Sequence, residues 1–274
     1  MIKKILVICV SLFITNNLFS ASSLPPCEGE DSLKYTNCFG KIENYEIEED
    51  GYKYLMNYEG EFRKGLAHGH GKMHTHTYSD NPNYFTKEDG TFKEGYLNGD
   101  GTLTYGDDTF LEEYKGKFKE GEFNGYGELK TSFDKARGIW TSKFAGKWKK
   151  GNLKKGIKTL NGVSSESKYE GEFNEDLLYH GDGTITSNNS GNLFIFKGKF
   201  KNDYPNGKGK FVFVKSKKSY EGNFFSNEKN FYNIKNGTIT LKDGQKYIGD
   251  IKDWKPHGNG KYLEILSNPS IKSL

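Results

Sequence analysis

Residues 58–71 read Tyr58-Glu59-Gly60-Glu61-Phe62-Arg63-Lys64-Gly65-Leu66-Ala67-His68-Gly69-His70-Gly71. In an extended chain, alternate side chains point to opposite faces. Tyr58, Gly60 and Phe62 therefore share one face, and Glu59 and Glu61 the other. Gly65 stands where the chain must turn, because glycine takes positive φ without steric cost. Gly69 and Gly71 then share one face of the returning strand and leave room for rings from a neighbouring strand. Glycine inside a strand is otherwise unfavourable, so this packing role explains its presence. The stretch predicts a β-hairpin that cannot bury its own rings and must stack against another.

The pattern recurs along the chain. Tyr114-Lys115-Gly116-Lys117-Phe118 leads to Gly125-Tyr126-Gly127, and Tyr169-Glu170-Gly171-Glu172-Phe173 to Gly181-Asp182-Gly183. Phe196-Lys197-Gly198-Lys199-Phe200 leads to Gly207-Lys208-Gly209, and Tyr247-Ile248-Gly249-Asp250-Ile251 to Gly258-Asn259-Gly260. Three copies are degenerate. The copy at Glu88 lacks the first aromatic, the copy at Phe144 keeps only Gly156 of the later pair, and the copy at Tyr220 reaches Gly237 through an insertion. The starts at 58, 88, 114, 144, 169, 196, 220 and 247 make eight copies at intervals of 24 to 30 residues. Self-similarity at a fixed period is the signature of a repeat architecture.

This sequence resembles the MORN repeat family over residues 58–262. The resemblance implies an elongated single-layer antiparallel β-meander, one hairpin per repeat, and binding of protein partners, self-association or attachment to membrane lipid. Residues 23–57 look like the start of secreted bacterial MORN-repeat proteins. The surplus over the family's usual interval is expected in loops, as in Thr75 to Thr86 and Thr131 to Thr141. Strands at Phe39–Ile47 and Tyr52–Tyr58, joined by Glu48-Glu49-Asp50-Gly51, would cap the first repeat. Eight hairpins plus this cap give about eighteen strands, about 85 Å at roughly 4.8 Å each.

Composition agrees with an all-β class. Glycine is 34 of 274 residues while proline is 6, which argues against polyproline and collagen-like chains. Aromatics at 15% argue against disorder, yet hydrophobic residues reach only 34%, thin for a thick two-layer core. The net charge of +4 carries no whole-chain nucleic-acid signal.

Residues 1–22 read as a secretory signal. Lys3 and Lys4 precede an apolar run from Ile5 to Ile14, and Ser20-Ala21-Ser22 offers small residues for cleavage. The alternative is a buried N-terminal helix. Residues 23–57 form the cap, 58–262 the array and 263–274 a C-terminal tail. Cys9 falls in the leader, so Cys27 and Cys38 remain, and an even pair in an exported chain is most simply a disulfide. The rival reading is lipidation of Cys27, against which Pro25-Pro26 stands. The chain is expected to be periplasmic or extracellular.

The candidates for chemistry are few. His68, His70, His74 and His76 share parity, and imidazoles on one strand face could bind zinc, copper or nickel. Against that, His68, like His180 and His257, precedes a repeat glycine, and no carboxylate or thiol completes a ligand set; no metal and no cofactor is expected. Lys147, Lys149, Lys150, Lys154 and Lys155, with Trp148 and Lys158, form the best electrostatic patch and are possible contacts for an anionic ligand. A second patch is Lys208, Lys210, Lys215, Lys217 and Lys218. A solvated strand face explains both equally. There is no Gly-x-Ser-x-Gly elbow, phosphate loop or His-Glu-x-x-His.

The expected function is non-enzymatic: an exported binding or scaffolding surface for a protein partner or a second copy, with no nucleic acid. The alternative is peripheral attachment to anionic lipid or envelope polymer through the lysines. An envelope hydrolase or metal binder ranks last. Tyr58, Phe62, Tyr114, Phe118, Trp148, Tyr169, Phe173, Phe196, Phe200 and Tyr247 form the expected aromatic ladder, structural first, with any exposed ring a contact.

Overall fold

A computed structural model describes residues 22–49, 52–77, 84–133, 141–162, 164–226 and 231–263. Residues 1–21 of the leader and 264–274 of the tail lie outside the described residues. After a 3-10 turn at Ser32–Lys34, the chain forms β1 (Cys38–Glu49), β2 (Tyr52–Arg63), β3 (Leu66–Thr77), β4 (Phe85–Lys93), β5 (Tyr96–Gly106) and β6 (Phe110–Lys119). There follow β7 (Glu122–Phe133), β8 (Thr141–Lys149), β9 (Asn152–Asn161), β10 (Ser165–Phe173), β11 (Tyr179–Asn189) and β12 (Asn192–Lys201). The last are β13 (Tyr204–Phe213), β14 (Lys218–Phe225), β15 (Asn233–Thr240), β16 (Lys246–Lys252) and β17 (Lys255–Leu263).

Each strand pairs antiparallel with the next in sequence, giving one 17-stranded meander. The eight repeats are the hairpins β2–β3, β4–β5, β6–β7, β8–β9, β10–β11, β12–β13, β14–β15 and β16–β17. The expected eighteen strands become seventeen because the cap's second strand and the first strand of repeat one are a single strand, Tyr52–Arg63. The ends of the two expected loops are strand, namely Thr75–Thr77, Thr86, Thr131–Phe133 and Thr141, and residues 78–83 and 134–140 between them lie outside the described residues.

The tight turns follow the predicted chemistry. Lys64 and Gly65 take φ of 54° and 72°, and Glu120 and Gly121 take 53° and 80°. Positive φ at both central residues is the two-residue turn that matches strand twist.

A row of glycines crosses the sheet, one per strand. It begins Gly40↔Gly60↔Gly71↔Gly90 and ends Gly237↔Gly249↔Gly260. In repeat one the Tyr58 ring lies over this row, so a Cβ on Gly71 would collide with its hydroxyl. The hydroxyl donates to the Glu61 carbonyl at 3.0 Å. Tyr114, Tyr169 and Tyr247 repeat the device on the carbonyls of Lys117, Glu172 and Asp250. Burial pushes the Tyr114 hydroxyl up to about 12.

The two glycines of the later pair therefore do different work, contrary to the expectation that both make room for rings. Gly71 accepts the Tyr58 ring. Gly69 sits in a bulge at φ +62°, and a Cβ there would strike Glu61 on the opposite face.

The rings interlock between repeats. Phe92 meets Tyr58 edge-on at 5.4 Å, Trp148 meets Tyr114 at 5.6 Å, Phe200 meets Tyr169 at 5.2 Å and Phe224 meets Phe196 at 4.9 Å. The core of this single layer is thus the stacked ring face itself. At the first edge Cys27 and Cys38 form the expected disulfide, and Tyr35 packs on Phe62 at 5.2 Å.

Candidate interaction surface

All ten ladder rings are buried in the aromatic face. None is available as a contact. What remains open is the opposite face, where the alternation of each strand sends most of its charged residues. Lys117–Asp100, Lys199–Asp182, Lys210–Glu221 and Lys72–Asp89 pair across neighbouring strands there, at 3.0 to 3.7 Å. These pairs are exposed and each contributes about 0–1 kcal/mol.

The lysine cluster is the exception to this neutralisation. Lys147 and Lys149 flank the buried Trp148 and so point away from it. In the fourth hairpin Gly146 pairs with Gly156 and Trp148 with Leu153, leaving Lys154 and Lys155 in the bulge opposite Lys147. Lys150 occupies the tight turn at φ 50°. All five line one pocket with Lys119, Glu120, Glu122 and Asn124. Six lysines against two glutamates make a formal +4. The 3.6 Å contact of Lys154 with Glu175 is exposed and offsets little of it.

Two members of the expected patch go elsewhere. Trp148 turns into the core at 1% exposure, and its indole N–H donates to the Gly127 carbonyl at 3.1 Å. Lys158 points to the aromatic face, its ammonium 4.9 Å from the Phe144 ring and 5.2 Å from the Tyr179 ring. Burial lowers its pKa, with the Asp203 carboxylate opposing.

The second lysine patch is divided. Lys208 and Lys210 line a trough along the glycine row with Glu170, Asp182 and Glu221, while Lys215 and Lys218 border a separate hollow with Asp243.

Tyr126, 73% exposed, and Lys119 stand outside the patches that the basic stretches alone define. Parity alone would have found both. Tyr126 lies between the two glycines of its pair and sits opposite Lys147, and Lys119 follows Phe118 as Lys149 follows Trp148.

β3 runs unbroken to Thr77, so alternation puts His70, His74 and His76 on the polar face together. The His74 and His76 rings lie tilted at 58° to each other with centroids 4.0 Å apart. Desolvation, then His76 and Lys87, lower the His74 pKa. Among the described residues no group of three His, Cys, Asp or Glu side chains could hold a metal ion. No helix among them is long and apolar enough to cross a membrane.

Fold and surface together define a single-layer antiparallel repeat protein with one consumed face and one open face. Set against known families, the chain matches the MORN repeat at residues 58–79, 89–110, 114–131, 196–217 and 247–263. It therefore contains multiple MORN repeats. No curated protein matches it.

Proposed function

We propose that the protein is a non-enzymatic repeat protein that is exported and acts as a binding or scaffolding surface for a protein partner, in the periplasm or outside the cell. The observation that carries this reading is the division of labour between faces. Every ladder ring is spent on the core, while the other face spans the repeats with exposed charged side chains, several paired across neighbouring strands. Such a face offers many weak contacts rather than one deep site. Export is supported by the basic-apolar leader and by the Cys27–Cys38 disulfide, which persists in oxidising compartments. Cross-linking in intact cells, followed by mass spectrometry, tests the reading. Cross-links from Lys197, Lys208 or Lys119 to one envelope protein are expected. Cross-links confined to cytoplasmic proteins would reject both partner class and export.

The lysine pocket favours a second reading, attachment to an anionic lipid or envelope polymer through Lys147, Lys149, Lys150, Lys154 and Lys155. Co-sedimentation with anionic but not neutral liposomes, lost as salt rises, is its expected signature. Lys149→Glu/Lys150→Glu/Lys154→Glu should abolish it. Absence of pelleting at low salt would reject the lipid form.

A further inference from the structure

The two ends of the sheet are finished differently. At the first edge, Pro26 bridges Phe39, Cys27 N–H donates to the Phe39 carbonyl at 2.8 Å, and Phe39 N–H donates back to Pro25. At the last edge, β17 pairs with β16 alone among the described residues, and every residue from Lys255 to Leu263 is exposed. An open edge strand is a template for another strand.

The register inside the sheet specifies what fits this template. At the repeat junctions the bulge glycine faces an aromatic two residues beyond the next row glycine: Gly69↔Phe92, Gly99↔Phe118, Gly125↔Trp148, Gly181↔Phe200 and Gly207↔Phe224. Four of these aromatics reach back to the preceding repeat's ring. β17 reads Gly258-Asn259-Gly260-Lys261-Tyr262. It holds both halves of the junction in one strand, a bulge glycine at φ +57° and an aromatic two residues beyond its row glycine.

We infer that β17 pairs antiparallel with β17 of a second copy, about a twofold axis through Gly260. Gly258 then faces Tyr262 of the other copy, twice by symmetry, as Gly69 faces Phe92. A twofold axis perpendicular to the sheet reverses strand direction and keeps each face on its own side. The ring face thereby continues across the junction. Tyr262, 61% exposed in one copy and already 5.2 Å from its own Tyr247, gains a slot over Gly258 beside the other Tyr247. Lys261 falls opposite Asn259, so no like charges meet. A single strand edge buries less than the roughly 1,200 Å² of standard interfaces, so the dimer is a concentration-dependent equilibrium. This inference is independent of what the polar face binds.

Sedimentation velocity over a concentration series should show monomer giving way to dimer and to nothing larger, because the twofold contact closes. Tyr262→Glu should weaken association by about tenfold or more, since two symmetric ring contacts are lost. Register is tested separately: Asn259→Cys protein mixed with Lys261→Cys protein should form a mixed disulfide several-fold faster than either variant links to itself. A chain that stays monomeric at the highest soluble concentration, including one whose edge is covered by residues 264–274, would overturn the inference. Equal linking of Asn259→Cys to itself would overturn the register.

Discussion

Two glycines of the first half of the array show how similar letters can encode different physics. Gly71 is required by space, since the Tyr58 hydroxyl occupies the position of its missing Cβ. Gly151 is required by conformation alone: its φ is +73° and nothing lies within 4 Å of a Cβ. Gly71→Ala should cost about 1–3 kcal/mol as an overpacked core, whereas Gly151→Asn should be near neutral, because Asn tolerates the left-handed region. Asn202 already does so at φ 50° in the sixth repeat. Chemical denaturation of both variants checks the contrast. Glu88 makes a different point. It stands where other repeats place a ring, and burial alone raises its pKa. With the folded pKa above the unfolded one, ionisation opposes folding. Stability therefore falls as pH rises from the ordinary glutamate range through the raised folded value. Glu88→Gln should stabilise by on the order of 1 kcal/mol at neutral pH and by less in acid. Equal gains at both pH values would contradict this account.

At the scale of the hairpin, the three degenerate copies turn out to be compensated by one position. The residue at the start of the returning strand is Leu97, Leu153 or Ile234 in those copies, and its methyls lie against the glycine row. In regular copies the same position holds Ala67, Pro205 or Pro256, or a ring that stacks on the tyrosine. Phe123 lies 3.7 Å from Tyr114, and Tyr179 lies 3.9 Å from Tyr169. The hairpin thus fills one volume by either of two routes. Leu97→Ala should cost about 2–5 kcal/mol. Adding Glu88→Tyr should recover much of that loss, because the ring then has the room it occupies in repeat one. The double variant being no more stable than Leu97→Ala would sink the compensation idea. None of this coupling is visible in the repeat pattern, since position 97 varies without an evident rule until the ring over the glycines is located.

For the whole molecule, strands pair only with their sequence neighbours, and Trp254 of the eighth repeat reaches past the seventh to Phe211 and Phe213 at 5.0 and 5.7 Å; away from that contact, perturbations should stay local. Removing the disulfide with Cys27→Ala/Cys38→Ala should cost at most about 3 kcal/mol. Faster amide exchange is expected in β1 and β2 with β10 to β17 unchanged. Sixteen strand spacings of about 4.8 Å give a long axis near 77 Å before curvature. Solution scattering of the monomer should accordingly give a radius of gyration clearly above the roughly 18 Å of a compact chain of this size.

Phe92, Phe144, Tyr179, Phe211, Tyr220 and Phe224 joined the buried face only in the folded sheet, but sequence alone determined the hairpin count, the turn positions, ten of the buried rings and the Cys27–Cys38 pairing. Each follows from period-two alternation, from glycine's access to positive φ, or from cysteine parity, all local properties of the chain. It could not assign separate roles to Gly69 and Gly71, because the bulge that rotates Gly69 to the other face arises only when two strands pair. Nor could it sort the lysines: Lys147 and Lys158 look alike in a basic stretch, yet strand parity around the β8–β9 bulge sends one to the open pocket and the other over the rings of Phe144 and Tyr179. The tertiary structure also decided that the first edge is closed while the last, among the described residues, is open, since closing the first takes a segment, Pro25 to Cys27, folded back across β1.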